Sequence, residues 1–153
     1  MLYRKSVAED CRAIYTLICD MEQKQLPYAE FTDIYRAQLQ SESFYCLVCT
    51  DGDKVIGFTN LRFERQLHHC EIIAEIMECV VDKDHRSRGV GGALLQEAYR
   101  LCRERGCAQI EVACNQLRHD THRFYAREGM HNFHYKFSRR LTGEDTADNA
   151  LGR

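Results

Sequence analysis

The sequence predicts an α/β domain built on a mixed sheet, and three patterns indicate this class. An apolar, β-branched run ends at Val81, a glycine-bearing turn follows, and apolar positions then recur with the helical period from Val90 onward. Two apolar runs at 44–50 and 55–63 flank a turn sequence of Asp and Gly, as in a β-hairpin. The run at 109–113 follows the helix, and a strand–helix–strand connection makes its two strands parallel. A hairpin and a crossover together predict both antiparallel and parallel neighbours.

Length and composition limit the classes of protein. The chain has 153 residues, 44% of them hydrophobic, and one proline, which suits a single core. We therefore predict one domain over 1–141 and a polar, disordered tail over 142–153. A net charge of −2 gives no general attraction to nucleic acid or to a membrane surface. The sequence has no long apolar segment or leader, so we expect a cytoplasmic protein without nucleic-acid or membrane partners.

The remaining segments are assigned from apolar spacing and from turn residues. Helices are predicted over 11–21, 28–40, 90–105 and 120–127. Ser6 and Glu9 are spaced as a capping box in front of the first helix. Strands are predicted over 2–6, 44–50, 55–63, 70–81, 109–113 and 133–141.

Nine cysteines are spread along the chain, and their number is odd. They lie within apolar periodic segments, so we expect most of them to be small buried side chains kept reduced. Cys46 and Cys49 alone have a metal-like spacing. They lie in a predicted strand, where positions three apart point to opposite faces, and no second Cys or His pair accompanies them. A structural zinc site is therefore not expected.

The turn before the third predicted helix has the chemistry of an anion site. It reads Arg86-Ser87-Arg88-Gly89-Val90-Gly91-Gly92. The first amides of a helix lack partners within the helix, and glycines let a ligand approach them. Arg86 and Arg88 add guanidinium donors for the same anion. The glycine spacing matches neither the dinucleotide-binding fingerprint nor the P-loop, which excludes those two phosphate sites.

Three spaced motifs give the chain a family resemblance. The stretch 86–91 fits Arg-x-x-Gly-x-Gly, the stretch 124–130 fits Phe-Tyr-x-x-x-Gly-Met, and the opening 4–18 is similar to the usual start of one family. In these features the chain resembles the GNAT acetyltransferases over 2–141. The resemblance implies a GNAT (acyl-CoA N-acyltransferase) fold, whose mixed, twisted central sheet has about six or seven strands, splays between the fourth and fifth, and is flanked by about four helices. It also implies acetyl-CoA as cosubstrate, direct transfer of acetyl to a primary amine, and a homodimer.

The resemblance also assigns the contacts of acetyl-CoA. They are expected at Cys79, Val80, Val81, Arg86, Ser87, Arg88, Gly89, Val90, Gly91, Gly92, Asn115 and Tyr125. Backbone N–H groups at 79–81 would polarise the thioester carbonyl. Ordinary turn chemistry is an equal alternative for Asn115. Cys79 is expected to be structural, because direct attack needs no nucleophilic cysteine.

Two side chains are predicted to carry the proton transfers. Glu75 would take a proton from the acceptor ammonium, directly or through water. The alternative for Glu75 is a carboxylate in a structural ion pair. Tyr125 would protonate the departing thiolate, and the alternative for Tyr125 is an aromatic side chain in the core.

A narrower resemblance concerns the acceptor. Clusters at 67–69, 75–81 and 118–129 are similar to the aminoalkylphosphonate N-acetyltransferases of bacterial phosphonate metabolism. The substrate-binding residues would then be His68, His69, Glu78, His119 and Asp120. A divalent metal ion, if one is needed, would be held by Glu78, His119 and Asp120. Candidate phosphonate contacts are Arg62, Arg65, Arg118 and Arg123. Glu75 and Glu78 would point to opposite faces of their strand unless a bulge intervenes.

Two other functions fit the same residues. Another acetyltransferase, acting on a polyamine, an aminoglycoside or a protein N-terminus, would keep the turn at 86–91 and Tyr125 but tolerate loss of the histidines. A non-catalytic acyl-CoA-binding regulator is the alternative from another class. For a regulator, Glu75→Gln and Tyr125→Phe would change nothing beyond ligand affinity.

Overall fold

The computed structural model describes residues 1–142. The chain divides into two compact units, Met1–Val112 and Ala113–Arg153. The disorder predicted for 142–153 lies outside the described residues except at its first position, and the single domain over 1–141 stays a prediction. No helix within 1–142 is long and apolar enough to cross a membrane.

The first unit contains one sheet and three helices. Its strands are β1 (Leu2–Lys5), β2 (Phe44–Asp51), β3 (Lys54–Gln66), β4 (Glu71–Val81) and β5 (Cys107–Val112). Its helices are α1 (Cys11–Glu22), α2 (Tyr28–Gln40) and α3 (Val90–Glu104), and the second unit contains α4 (His119–Arg127). Two short 3₁₀ turns, Ala8–Asp10 and Lys83–His85, precede α1 and follow β4. The second helix spans the residues predicted for it, and the other bounds differ by a few residues.

The sheet has the order β1-β2-β3-β4-β5. The first four strands are antiparallel, and β5 is parallel to β4, which confirms the mixed sheet. Within residues 1–142 the sheet has five strands, so the expected six or seven was too high, and 133–141 forms no strand. Phe133, Tyr135 and Phe137 alternate as in a strand but are 80–92% exposed. Alternation shows only which residues share a face, whereas a strand also needs a neighbour that supplies its hydrogen bonds.

The two faces of the sheet carry separate apolar cores. On one face, α1 and α2 pack on a cluster that includes Ile14, Tyr35, Val48 and Phe58. On the other face, α3 packs on a cluster of Leu47, Cys49, Ile56, Val90 and Leu94. Cys46 belongs to the first cluster and Cys49 to the second, which confirms that this pair points to opposite faces and cannot share a metal.

The start of the first helix differs from the predicted capping box of Ser6 and Glu9. The carboxylate that closes this turn belongs to Asp10, which accepts the Val7 N–H at 2.8 Å. Arg4 donates to both oxygens of Asp10, at 2.6 and 2.9 Å. Burial is the largest single effect on the pKa of Asp10 and raises it, but the hydrogen bonds and the charge of Arg4 together with the hydrogen bond from Val7 outweigh burial and hold this pKa below its usual value. The prediction was wrong because a 3₁₀ turn precedes the helix, and the spacing rule for a capping box does not include such a turn. The turn shifts by one residue the carboxylate that accepts the backbone N–H.

The cysteines are unlinked thiols, and their burial varies. Cys11, Cys46, Cys49 and Cys102 are buried, Cys70 is exposed in a turn, and the others are half-buried. Four of the nine are therefore buried, so the expectation that most would be buried was wrong. The apolar runs that contain these cysteines also include positions at the edge of the core, such as Cys19 within α1.

Candidate active site

The fourth strand is paired differently along its length. Its ladder with β3 runs through to the pair Gly57–Val81. Its parallel ladder with β5 ends at the pair Ile76–Val112. Residues 72–76 of β4, the paired segment, therefore lie inside the sheet, whereas residues 77–81, the splayed segment, extend beyond the described β5 ladder. The splayed segment is the part of β4 that the resemblance assigns to a thioester.

Gly57 lets three elements approach each other beside the splayed segment. A Cβ atom on Gly57 would lie 3.0 Å from the Val80 carbonyl oxygen and 3.1 Å from Cδ1 of Leu94. Both distances are shorter than ordinary van der Waals contact, and the carbonyl oxygen belongs to the backbone. A side chain at Gly57 would therefore push β3 away from β4 and α3.

The glycine-bearing turn joins the splayed segment to the N-terminus of α3. Ser87 and Gly89 adopt positive φ angles of 58° and 82°. Gly89 is the N-cap residue of α3 and provides no side-chain cap, so the first amides of this helix are not occupied by a capping side chain. Arg86 Nε donates to the Val81 carbonyl oxygen at 3.1 Å and ties the turn to β4. Exposed guanidinium groups and uncapped amides at a helix N-terminus fit the diphosphate of acetyl-CoA.

Asp82 fixes the base of this turn. Its carboxylate lies 2.9 Å from Lys54 Nζ and 3.2 Å from His85 Nδ1, and it accepts the Asp84 N–H at 2.9 Å. The hydrogen bond with Lys54 is the main cause that lowers the pKa of Asp82 to about 2. Asp82 therefore stays ionised at neutral pH and holds the turn in one conformation.

A β-bulge decides where the two glutamates of β4 point. Arg62 is opposite Glu75 and Asn60 is opposite Glu78, and the register shifts between these pairs. Residues opposite each other in an antiparallel pair share a face, as do residues two apart on one strand. Since Asn60 and Arg62 are two apart, the extra residue at Met77 brings Glu75 and Glu78 to the same face. The bulge that the sequence left open is present.

Glu75 lies in an ion pair. Its Oε2 atom is 2.6 Å from Nη2 of Arg62, and the same guanidinium group lies 3.7 Å from Glu64. This contact is the structural alternative that the sequence left open for Glu75. For Glu75 to act as a base, its carboxylate would have to leave the guanidinium group of this arginine and contact the acceptor amine.

Glu78 lines a cavity together with Asn60 and Gln38. The cavity, here the α1–α2 cavity, has a volume of about 180 Å³ and lies between the two helices and the sheet. Asn60 Nδ2 donates to Glu78 Oε2 at 3.0 Å and to Gln38 Oε1 at 2.8 Å. Burial raises the pKa of the Glu78 carboxyl, and the hydrogen bond from Asn60 partly opposes this. A carboxylate of this kind suits proton exchange with an amine.

The second unit holds the remaining predicted cofactor residues. Asn115 Oδ1 accepts the Leu117 N–H at 2.9 Å, so its side chain takes part in a turn, as in the alternative reading of this residue. Tyr125 lies on α4, is half-buried, and has its ring centroid 5.2 Å from that of Phe124. These contacts describe the position of Tyr125 within its unit and leave its acid role a proposal.

The histidines and the metal candidates do not form a metal centre. His68 and His69 lie in the turn between β3 and β4, with ring centroids 4.2 Å apart. His119 and Asp120 lie in the first turn of α4, where Asp120 pairs with Arg123. In the part of the chain that the structure describes, no group of three or more His, Cys, Asp or Glu side chains could hold a metal ion. Glu78 belongs to the first unit and His119 and Asp120 to the second, so the metal site expected at these three residues finds no support within either unit.

Two residues of the site were missed in the sequence. Gln38 and Asn60 reach Glu78 from α2 and β3. The available signal was Asn60 itself, a polar side chain within the apolar run 55–63, where buried asparagine needs hydrogen-bond partners. Gln38 gave no signal, because a glutamine near the end of a helix is ordinary surface chemistry.

Comparison with known proteins agrees with this geometry. Residues 9–130 match the family described as "Acetyltransferase (GNAT) family". An aminoalkylphosphonate N-acetyltransferase of Salmonella typhimurium is 33% identical over 138 residues, which are 90% of each chain. A ribosomal-protein-alanine N-acetyltransferase from Brucella melitensis superposes with a TM-score of 0.77 at 15% identity, over 92% of this chain and 100% of that one. A transcriptional regulator from Bacillus halodurans gives 0.85 at 19% identity, over 92% and 99%.

The two structural neighbours carry different described functions at low identity, so they show the fold alone. The family match covers most of the chain, and the Salmonella relative covers nearly all of it. Together with the exposed glycine-bearing turn at the N-terminus of α3, these matches show that the chain belongs to the GNAT family and is an acetyl-CoA-dependent N-acetyltransferase.

Proposed function

We propose that this acetyltransferase transfers acetyl from acetyl-CoA to the primary amine of a small molecule, and that the acceptor is an aminoalkylphosphonate. The observation that carries the proposal is the 33% identity to an aminoalkylphosphonate N-acetyltransferase across 90% of both chains. Identity at this level supports the acceptor class, and the acceptor itself is decided by the side chains of the pocket.

The cofactor part of the proposal assigns the diphosphate to the turn at 86–92. Bound acetyl-CoA supplies the thioester that is transferred. The amides of α3 and the guanidinium groups of Arg86 and Arg88 hold the diphosphate. Backbone N–H groups of Cys79, Val80 and Val81 in the splayed segment orient the thioester and stabilise the oxyanion.

The catalytic part needs a base and an acid. A glutamate of β4 takes a proton from the acceptor ammonium, with Glu75 as the residue predicted from the sequence, and Tyr125 delivers a proton to the thiolate. For Glu75, this role requires that Arg62 releases the carboxylate when the acceptor binds, because the two groups are 2.6 Å apart. For Tyr125, the support is its place in the Phe-Tyr-x-x-x-Gly-Met motif at 124–130.

An acidic group on the acceptor is supported by Arg62. Nε of Arg62 is buried and has no hydrogen-bond partner among the described residues. A buried donor without a partner is unfavourable, and a phosphonate oxygen would satisfy it. The proposal contains no metal step, because the described donors form no metal site. A homodimer and a cytoplasmic location stay predictions.

The test is the release of free thiol from acetyl-CoA in the presence of single amines. The panel contains aminomethylphosphonate and 2-aminoethylphosphonate, their carboxylate analogues glycine and β-alanine, and spermidine, each with and without a chelator. We expect the phosphonates to give the highest kcat/KM. Faster turnover of spermidine or of the carboxylates would contradict the phosphonate acceptor, and no acceleration by any amine would contradict transfer to a small amine.

A further inference from the structure

We propose that Glu78, held by Asn60 in the wall of the α1–α2 cavity, is the group that binds the acceptor ammonium and removes its proton. The proposal rests on the proposed transfer to a primary amine and makes it more specific. It assigns the base to Glu78 in place of Glu75, and it assigns the carbon chain of the acceptor to the cavity.

The first support is the cavity itself. Its walls are mostly apolar and include Ile14, Phe31, Ile34, Leu39, Phe44 and Phe58. Among the described residues that line it, Glu78 is the one acidic side chain. An apolar pocket with a single carboxylate fits a short carbon chain that carries one ammonium group. A polyamine would bring a second positive charge into a space that Lys5 also lines, where like charges repel each other.

The second support is an unsatisfied acceptor beside that carboxylate. Asn60 is 7% exposed, and its Nδ2 donates to Glu78 and to Gln38. A carboxylate only accepts, so the amide nitrogen faces Glu78 and the amide oxygen has a fixed place. Oδ1 of Asn60 is buried and has no hydrogen-bond partner within the described residues. An ammonium bound at Glu78 has three N–H donors and can satisfy this oxygen as well.

The third support is the position of Glu78 along β4. Glu78 lies in the splayed segment, beyond the end of the β5 ladder at Ile76, whereas Glu75 lies in the paired segment opposite Glu111. Thr59 Oγ1 donates to the Glu78 carbonyl oxygen at 3.2 Å and fixes the backbone at this point. Glu78 is also adjacent in sequence to Cys79, where the proposed thioester contacts begin. The base and the acyl group are therefore brought to the same stretch of strand.

The other titratable groups that line the cavity are Lys5 on β1, Tyr35 on α2 and Cys46 on β2. Burial raises the pKa of Cys46 to about 12, and burial also raises the pKa of Tyr35. Neither group loses its proton near neutral pH. Among these lining groups, Glu78 is therefore the one whose protonation can make the activity fall at low pH. Because burial raises the pKa of Glu78, this fall should occur at a higher pH than for an ordinary carboxyl group.

The chemical step balances with these groups. The ammonium passes one proton to Glu78, from which the proton leaves to solvent, and the free lone pair attacks the thioester carbonyl carbon. The C–N bond forms, the C–S bond breaks, and the electron pair leaves with sulfur as thiolate. The thiolate takes a proton from the proposed acid, and the nitrogen gives up its second proton to restore that acid. The products are the amide, the free thiol and one proton.

The experiment compares Glu78→Gln with Glu75→Gln in the full chain, with Glu104→Gln on the exposed face of α3 as a neutral control. We expect Glu78→Gln to lower kcat/KM for the amine by about 100-fold or more and to remove the acidic limb of its pH profile. Glu75→Gln should lower it by less than about tenfold. Binding of acetyl-CoA, measured separately by calorimetry, should stay unchanged in both variants, which shows that they are folded.

A positioning variant gives an independent readout. Because the hydrogen bond from Asn60 lowers the pKa of Glu78, Asn60→Leu should move the acidic limb to higher pH and raise the KM for the amine more than it changes kcat. Glu78→Asp keeps the carboxylate and should recover part of the lost activity. A larger loss in Glu75→Gln than in Glu78→Gln, or an unchanged pH profile in Glu78→Gln, would overturn the assignment of Glu78. In both cases the wild type would still acetylate its amine, so the proposed function would stand.

Discussion

The paired and splayed segments of β4 carry the same residue type on the same face, yet they place it in different chemistry. Glu75, in the paired segment, lies 2.6 Å from the guanidinium group of Arg62. Glu78, in the splayed segment, accepts a hydrogen bond from the neutral amide of Asn60 at 3.0 Å and lines an apolar cavity. Burial raises the pKa of Glu78, and the hydrogen bond from Asn60 opposes this in part. One strand therefore holds a glutamate in an ion pair and, three residues further on, the glutamate that we propose as the base.

The two glutamates differ in the residue opposite each of them on β3 and in their position relative to the end of the β5 ladder, and not in residue type. The β5 ladder pairs the backbone at Glu75 and ends at Ile76, before Glu78. Backbone groups inside a ladder are occupied by the neighbouring strand, whereas those beyond its end can contact a ligand. The following substitutions test how these two segments of β4 differ.

Gly57→Ala should lower stability and cofactor binding the most, because the new side chain would push against the splayed segment. The new Cβ would contact the Val80 carbonyl oxygen at 3.0 Å, and overpacking of this kind costs about 1–3 kcal/mol of stability. The same displacement should weaken acetyl-CoA binding. Urea unfolding and calorimetry measure both effects. Gly106→Ala, which has open space but a positive φ of 70°, is the control for backbone strain alone and should leave acetyl-CoA affinity unchanged.

Arg88→Ala tests whether the cofactor sits beside the splayed segment. A charge-assisted hydrogen bond to a phosphate contributes about 1.5–3 kcal/mol, so the KM for acetyl-CoA should rise about tenfold or more. Arg103→Ala, an exposed arginine near the C-terminal end of α3, should leave this KM unchanged. Equal effects in the two variants would mean that the turn contributes only general positive charge.

Replacing each of the two glutamates by glutamine should change the stability of the protein in opposite directions. Glu75→Gln leaves Arg62 without its carboxylate and should lower stability by about 1 kcal/mol, since both side chains are partly exposed. Glu78→Gln removes a desolvated carboxyl and should raise the melting temperature by about 2–4 °C. Thermal unfolding followed by circular dichroism measures both. A fall in Tm in both variants would remove the distinction between the segments.

The smallest effect is the pH dependence of the Glu78→Gln difference. The folded pKa of Glu78 is raised above the unfolded value, so the folded state binds a proton more readily than the unfolded state. Wild-type stability from this group therefore increases as pH falls through the folded pKa. The advantage of Glu78→Gln should be largest at about pH 8 and should shrink as the pH falls toward about 4, near the unfolded pKa, below which both states of the wild type become protonated. Urea unfolding at several pH values checks this, and a constant difference would contradict the raised pKa.

Much of the fold, and the turn to which we assign the cofactor, could be predicted because the signals are local. The helical period from Val90 and the glycines after Arg88 lie next to each other in sequence, and the structure places them as helix and turn. The strand at 133–141 failed for the opposite reason, because its alternating aromatics say nothing about a partner. Asn60 and Gln38 were missed because their contact joins residues from different elements.

Local sequence patterns were enough to predict the order of the five strands and four helices that the structure contains, the separate faces of Cys46 and Cys49, and the glycine-bearing turn at the start of α3, since periodicity and turn chemistry act over a few residues. Tertiary contacts determine which glutamate forms an ion pair with an arginine and which lines the cavity. That choice depends on one extra residue at Met77, which shifts the register between β3 and β4, and on where the β5 ladder ends. A one-residue shift exchanges the faces of a strand, and its energy comes from packing against distant elements, so no local pattern contains it.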